Sequence, residues 1–112
     1  TWIMGANPYG WDRMVFRFEP GADEAVIWLS GAGDFRLGMD GQFRIVSLSG
    51  LNPVALRGRF DTAGVFHREN QEMGAYNHIL MAMRLEGGRL TIDVRDRHPG
   101  IFELRIEGKL AP

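Results

Sequence analysis

Two histidines and a glutamate in the second half of the chain are the residues best suited to bind a metal ion. His67 and Glu69 are two positions apart, so on one strand both side chains would point to the same face. With His78 on a neighbouring strand they would form a two-histidine, one-carboxylate ligand set. Such a combination of residues also arises easily by chance. We favour the interpretation that the histidines lie on the surface or form ordinary hydrogen bonds. The sequence therefore predicts no metal ion and no other cofactor.

Nucleophilic catalysis by serine needs a neighbouring base, and the sequence offers none of the common arrangements. The serines are Ser30, Ser47 and Ser49. None begins a Ser-x-x-Lys motif, because Lys109 is the only lysine, and none lies in Gly-x-Ser-x-Gly; the chain also has no cysteine. Glu69 and Glu72 are expected in a solvated polar loop, residues 67–72, rather than as an acid–base pair. The sequence predicts no catalytic residue and no enzymatic activity of this chain.

The charge balance and hydropathy argue against two classes of partner. Thirteen basic and 14 acidic residues give a net charge of −1, whereas proteins that bind nucleic acid through phosphates need a positive excess. No apolar run approaches the roughly 20 residues that span a bilayer as a helix. We therefore expect neither nucleic acid nor a membrane as partner.

Turn signals recur about every ten residues and divide the chain into short segments with a two-residue alternation of apolar and polar side chains. This pattern predicts an all-β domain spanning residues 1–112. The predicted strands are 11–18, 24–30, 33–38, 43–48, 53–60, 64–69, 75–85, 89–95 and 101–108. Consecutive hairpins favour an antiparallel meander, and closure into a barrel of eight to nine strands would remove its exposed edges.

A barrel of about eight strands has an interior that holds either packed side chains or one small ligand. If a small hydrophobic ligand is bound, the candidate residues lining its cavity are Trp28, Met81, Met83 and Phe102.

The N-terminal segment is apolar for a chain end and contains Trp2, Tyr9 and Trp11. Two interpretations remain open for it. Either it folds back to plug the barrel, or these three residues dock on a neighbouring domain.

Four segments, taken in order, resemble one known family. They are residues 5–10 (Gly-Ala-Asn-Pro-Tyr-Gly) followed by 14–18, residues 35–41 (Phe-Arg-Leu-Gly-Met-Asp-Gly), residues 55–60 (Ala-Leu-Arg-Gly-Arg-Phe) with Phe66, and residues 83–87 (Met-Arg-Leu-Glu-Gly). Together they resemble the C-terminal β-domain of bacterial serine hydrolases of the β-lactamase and penicillin-binding-protein-like family. Phe60 departs from the family pattern, which has tryptophan there.

The resemblance implies a lipocalin-like barrel that forms the C-terminal part of a longer chain. It implies a non-catalytic accessory domain that is structural or shapes substrate access, with the catalytic hydrolase domain of the same chain as its partner. The implied source is a bacterium, and the location, whether cytoplasmic or periplasmic, is left open. The alternative function is a lipocalin-like barrel that binds a small hydrophobic ligand.

Arg57 stands in an otherwise apolar strand, next to Leu56 and Gly58. Because an unpaired buried charge would be costly, we expect its guanidinium to pair with a carboxylate at one end of the barrel. The candidates are Asp61 and Asp93.

Overall fold

The computed structural model describes residues 1–47, 53–72, 78–96 and 103–111, and every helix or strand assigned within these ranges is a β-strand. The strands are β1 (Trp2–Met4), β2 (Arg13–Arg17), β3 (Glu24–Leu29), β4 (Gly33–Gly38), β5 (Arg44–Val46), β6 (Val54–Phe60), β7 (Phe66–Glu72), β8 (His78–Glu86), β9 (Arg89–Asp96) and β10 (Glu103–Leu110). Nine of them follow the nine predicted strands in order, and β1 is additional. Within the described ranges, no helix is long and apolar enough to cross a membrane.

The sheet closes into a barrel through a seam between β4 and β6. The hydrogen-bonded order runs β4-β3-β2-β1-β10-β9-β8-β7-β6, with antiparallel neighbours throughout. The seam is a parallel pairing of Gly38 with Arg57. The prediction of a closed, all-β, lipocalin-like barrel of eight to nine strands is confirmed. It has nine strands in the ring and one parallel seam, which a pure meander would not contain.

The parallel seam follows from the shortness of β5. This strand has only three residues and pairs antiparallel with the first three residues of β6. The chain therefore reverses twice between β4 and β6, which leaves those two strands parallel. Because β5 is too short to cover β6 along its length, β4 reaches β6 beyond it and completes the ring.

The first residues of the chain belong to the barrel wall. β1 pairs antiparallel with both β2 and β10, with Trp2 opposite Met14 and Met4 opposite Gly108. Trp2 and Met4 face the interior, where Met4 is buried and Trp2 packs against the core. Residues 2–4 therefore form a strand, which neither interpretation of the N-terminal segment included.

The two ends of the barrel differ in composition. We call the end that carries the turns at residues 61–65 and 87–88 the lower end, and the opposite end the upper end. Phe18, Phe60 and Phe66 close the lower end, with ring centroids 5.1–5.4 Å apart. Gly58 lies beside this cluster, because a Cβ there would lie 2.4 Å from Cζ of Phe66. The close approach explains why the strand has a glycine at this position.

Apolar side chains from every strand of the ring fill the middle of the barrel. Seven of them have no accessible surface: Met14, Ile27, Leu29, Leu37, Leu56, Leu90 and Ile92. A water-sized space beside any of these residues would give it accessible surface, so the interior around them is filled. A ligand in this barrel must therefore be small, or must make room by displacing side chains.

Candidate functional site

An arginine lies inside this apolar barrel. Strand alternation in β7 points Phe66, Arg68 and Asn70 inward, and Arg68 is only 2% exposed. Its cross-strand neighbours are Gly58 on β6 and Met81 on β8.

The Arg68 guanidinium has few partners for a buried cation. Its Nε donates a hydrogen bond to Oδ1 of Asn70 at 2.8 Å, and its Cζ lies 5.3 Å from the ring centroid of Phe35. Among the described residues, Nη1 has no hydrogen-bond partner and no carboxylate lies within ion-pair distance of Arg68. The segments outside the described ranges contain no Asp or Glu side chain. Within the described ranges, therefore, no acidic side chain forms an ion pair with Arg68.

Burial lowers the pKa of Arg68 to about 10, and the nearby Tyr9 hydroxyl opposes this shift. A pKa of about 10 still leaves the guanidinium positively charged at neutral pH. Several kcal/mol is the order of the cost of a buried ion without a counter-charge. Such a residue lowers the stability of the fold unless a bound partner compensates it.

The loop between β1 and β2 brings Tyr9 close to Arg68 at the upper end. Asn7 organises this loop: its Oδ1 accepts hydrogen bonds from the amides of Tyr9 and Trp11, and its Nδ2 donates to the carbonyls of Gly5 and Trp11. The Tyr9 ring stacks on Trp11 with centroids 4.5 Å apart, and Trp11 packs against the core. Burial raises the pKa of the Tyr9 hydroxyl, while the positive charge of Arg68 acts in the opposite direction.

Three further polar residues face the interior between Arg68 and the upper end. Asn70 and Glu72 follow Arg68 on the inner face of β7, and Asp96 lies at the upper end of β9 in register with Ile79. Asp96 is 9% exposed, whereas Asn70 and Glu72 are half-buried. The barrel therefore has an apolar lower interior and a polar upper interior, the second defined here by Arg68, Asn70, Glu72 and Asp96.

A groove of about 950 Å³ lies on the outer wall of the barrel, across β6 to β10. The central row of its lining residues is Gly58, Arg68, Met81, Val94 and Leu104, which are in register across the five strands. Two rows of outward side chains border it: Arg57, Glu69, Leu80, Arg95 and Glu103 on one side, and Arg59, His67, Ala82, Asp93 and Arg105 on the other. This outer groove is charged and separated from the interior by the sheet.

Comparison with known proteins supports the fold and assigns no family. No family model matches the chain, and the search of curated proteins finds no match. The crystal structure of a secretory abundant heat soluble (SAHS) protein from Ramazzottius varieornatus superposes with a TM-score of 0.68 over 88% of this chain and 69% of that chain. The two sequences are 10% identical, so the similarity concerns the fold alone. Nothing found supports a relationship to β-lactamase-like hydrolases.

The structure divides the residues predicted to line a ligand cavity between two faces of the wall. Met81 and Met83 point inward and are 3% and 2% exposed. Trp28 alternates with the buried Ile27 and Leu29, so its side chain lies on the outer face of β3. Phe102 lies outside the described residues. The structure thus does not bring Trp28 together with the two methionines, although a ligand-binding role of Met81 and Met83 remains a prediction.

The three residues predicted to dock on a neighbouring domain differ in how far they are buried. Trp2 and Trp11 are half-buried and pack against the core, while Tyr9 is 41% exposed. Docking of this segment on another domain remains a prediction.

The candidate metal ligands separate into two pairs on the outer wall. Nε2 of His67 lies 2.8 Å from Oδ2 of Asp61, whereas Nε2 of His78 contacts Oε2 of Glu69. Among the described residues, no group of three or more potential ligands could hold a metal ion. The expectation that residues 67–72 form a loop is wrong, because all six of these residues belong to strand β7.

The partner predicted for Arg57 is wrong. Its Nε donates to Oε1 of Glu69 at 2.7 Å rather than to Asp61 or Asp93. Arg57 and Glu69 are directly opposite each other on the outer face of β6 and β7, so register decides the pairing. Asp61 instead contacts His67, and Asp93 contacts Arg84 and Arg105.

Glu69 links Arg57 and His78, and its charge depends on both. Burial by itself would raise the pKa of Glu69, but the hydrogen bonds from Arg57 and His78 outweigh it and lower the pKa below its usual value. A carboxylate with a lowered folded-state pKa stabilises the fold above its unfolded pKa of about 4.3. That stabilisation is lost as the pH falls through the folded-state pKa.

Replacing Glu69 with glutamine is therefore expected to lower the free energy of unfolding at pH 7 by about 1–3 kcal/mol, the range for hydrogen bonds to charged groups. The difference from wild type should shrink between pH 5 and pH 3, as the wild-type carboxylate becomes protonated. Urea unfolding at pH 7, 5 and 3 measures both effects. Glu19→Gln, in the exposed connection after β2, is the control; an equal loss in both variants, or a loss independent of pH, contradicts the prediction.

Arg68 is not among the site residues predicted from the sequence. The signal that could have found it is the position of Arg68 two residues after Phe66, opposite a glycine in the preceding predicted strand. Of the three serines, Ser30 has a structural contact, because its Oγ accepts hydrogen bonds from the amides of Asp12 and Arg13.

Proposed function

We propose that this protein is a small-ligand-binding barrel whose site is the polar upper interior around Arg68. The observation that supports it is the buried, positively charged Arg68 guanidinium without a counter-charge in a closed, lipocalin-like barrel. Such a group lowers the stability of the free protein, so a compensating role in binding accounts for its presence better than a structural one.

The interior can adapt to a ligand although it is filled in the free protein. Four of its buried residues are methionines: Met4, Met14, Met81 and Met83. Methionine side chains are flexible and polarisable, and they change conformation at small energetic cost. Met81 is the cross-strand neighbour of Arg68, so the side chain most easily displaced lies beside the charged group.

The ligand-binding function is tested by screening this 112-residue chain against small amphiphiles of six to twelve carbons with alcohol, carboxylate or amine head groups. We expect at least one to bind saturably at one equivalent and to raise the unfolding temperature. A ligand present at 100 times its Kd stabilises the folded state by about 2.7 kcal/mol. Absence of a stoichiometric binder across the whole panel would contradict the proposed function.

A second candidate is the accessory domain that the sequence resemblance implies. The outer groove of about 950 Å³, with its charged borders, is the observation that favours it, since a partner domain could occupy that surface. Its test is the coding sequence adjoining this chain. A neighbouring domain with a Ser-x-x-Lys motif would support the accessory role, and an unrelated neighbour would remove its basis.

A further inference from the structure

We infer that the ligand carries a carboxylate head group and that Nη1 of Arg68 binds it. This inference rests on the proposed function of a ligand-binding barrel and adds the chemical class of the ligand. The residue is 2% exposed, and Nη1 is the buried side-chain polar atom of the described residues that lacks a hydrogen-bond partner.

The need for an anion follows from charge. Arg68 is protonated at neutral pH, and in the part of the chain that the structure describes, which includes all 14 acidic side chains, none forms an ion pair with it. A neutral polar ligand would satisfy the free N–H donors but would leave the buried charge uncompensated. An anion supplies both the hydrogen-bond acceptor and the counter-charge, and charge-assisted hydrogen bonds are the stronger kind.

A single negative charge fits this site better than a double one. Arg68 is the one cationic side chain that the described residues place in the interior, and its Nε already donates a hydrogen bond to Asn70. A monoanion balances the charge of Arg68, whereas a phosphate monoester brings a charge of about −1.5 to −2 at pH 7 and would add excess negative charge to an interior that Glu72 and Asp96 already face. Among common monoanionic groups a carboxylate is the smallest, which suits a filled interior.

The surroundings of Arg68 define the rest of the ligand. Met81 lies beside the arginine across the strands, and Phe35 lies against the guanidinium from β4. Both are buried and apolar. The part of the ligand that adjoins its carboxylate is therefore apolar. The seven interior residues without accessible surface limit the space to what the buried methionines can vacate, so a short apolar chain is expected rather than a long one.

Calorimetric titration of the 112-residue chain with octanoate, 1-octanol and octyl phosphate tests the head group at constant chain length. We expect octanoate to bind at one equivalent and at least ten times more tightly than either of the others. Arg68→Met should reduce octanoate affinity to that of octanol while leaving octanol affinity within threefold. Arg95→Met, which removes an arginine from the outer groove, is the matched control and should leave all affinities unchanged.

The outcomes separate the two proposals. Equal affinity of octanoate and octanol, or tightest binding of octyl phosphate, would overturn the carboxylate inference and leave the ligand-binding barrel standing. Loss of octanoate binding in Arg95→Met but not in Arg68→Met would place the site in the outer groove and overturn the assignment to Arg68. Absence of binding by all three probes would overturn the carboxylate inference, and the wider amphiphile panel then decides the proposed function. Urea unfolding of each variant verifies that it is folded during the titration.

Discussion

Replacing Arg68 with methionine is expected to raise the free energy of unfolding of the ligand-free protein by about 1–3 kcal/mol at pH 7. The substitution removes a buried cation that has no counter-charge and fills its place with an apolar side chain. It also removes the hydrogen bond to Asn70, but Asn70 is half-buried, so water can replace that partner. The expected sign is opposite to that of most substitutions at buried positions, which destabilise.

Urea unfolding of wild type, Arg68→Met and Arg17→Met measures this effect. Arg17 is the matched control, because its side chain is 58% exposed and its ion pair with Asp34 lies on the surface. Its replacement is expected to change stability by less than about 1 kcal/mol. If Arg68→Met loses stability by more than the control, the guanidinium has a structural role, and the case for a ligand that compensates its charge is removed.

Replacing Gly38 with alanine is expected to destabilise the protein by about 3 kcal/mol or more, at the upper end of the range for overpacked sites. A Cβ at this position would lie 1.7 Å from the carbonyl oxygen of Gln42 and 2.9 Å from Nη1 of Arg44. The first of these contacts is with backbone, so the turn between β4 and β5 must move. Gly38 is also the residue that pairs with Arg57 across the seam, so the same movement opens the barrel.

Hydrogen exchange distinguishes opening of the seam from general loss of stability. In Gly38→Ala, amides of β4 and β6 should exchange faster relative to those of β9 and β10 than they do in wild type. Gly5→Ala is the control. Gly5 lies in the loop after β1, and a Cβ there would be 3.3 Å from a backbone oxygen. A Gly38→Ala protein that unfolds within 1 kcal/mol of wild type would contradict the close packing of the seam.

The barrel was predictable because two-residue alternation and regularly spaced turns each indicate the same structure. Leu90, Ile92 and Val94 alternate with polar residues in the sequence and are all buried in β9. The parallel seam was not predictable in this way. It depends on β5 being too short to complete the ring, and strand length is the least certain part of a sequence-based prediction.

The site was hidden because alternation reveals an inner face only where the two faces differ in polarity. In β7 the inward residues after Phe66 are Arg68, Asn70 and Glu72, and the outward residues are polar as well, so the stretch resembled a loop. The opposite problem affected β3, where Val26 and Trp28 on the outside are as apolar as Ile27 on the inside. Because the two faces of β3 do not differ in polarity, the sequence could not show that Trp28 faces outward.

The location of the bound ligand is tested most directly by methyl NMR of the protein titrated with octanoate. Residues 80–83 of β8 alternate between the faces of the wall: Met81 and Met83 point into the interior, and Leu80 and Ala82 line the outer groove. Binding in the upper interior predicts saturable shifts of the Met81 methyl, followed in size by Met83, with Leu80 and Ala82 nearly unchanged. Shifts confined to Leu80 and Ala82, or no shift of any methyl, would contradict a ligand site inside the barrel.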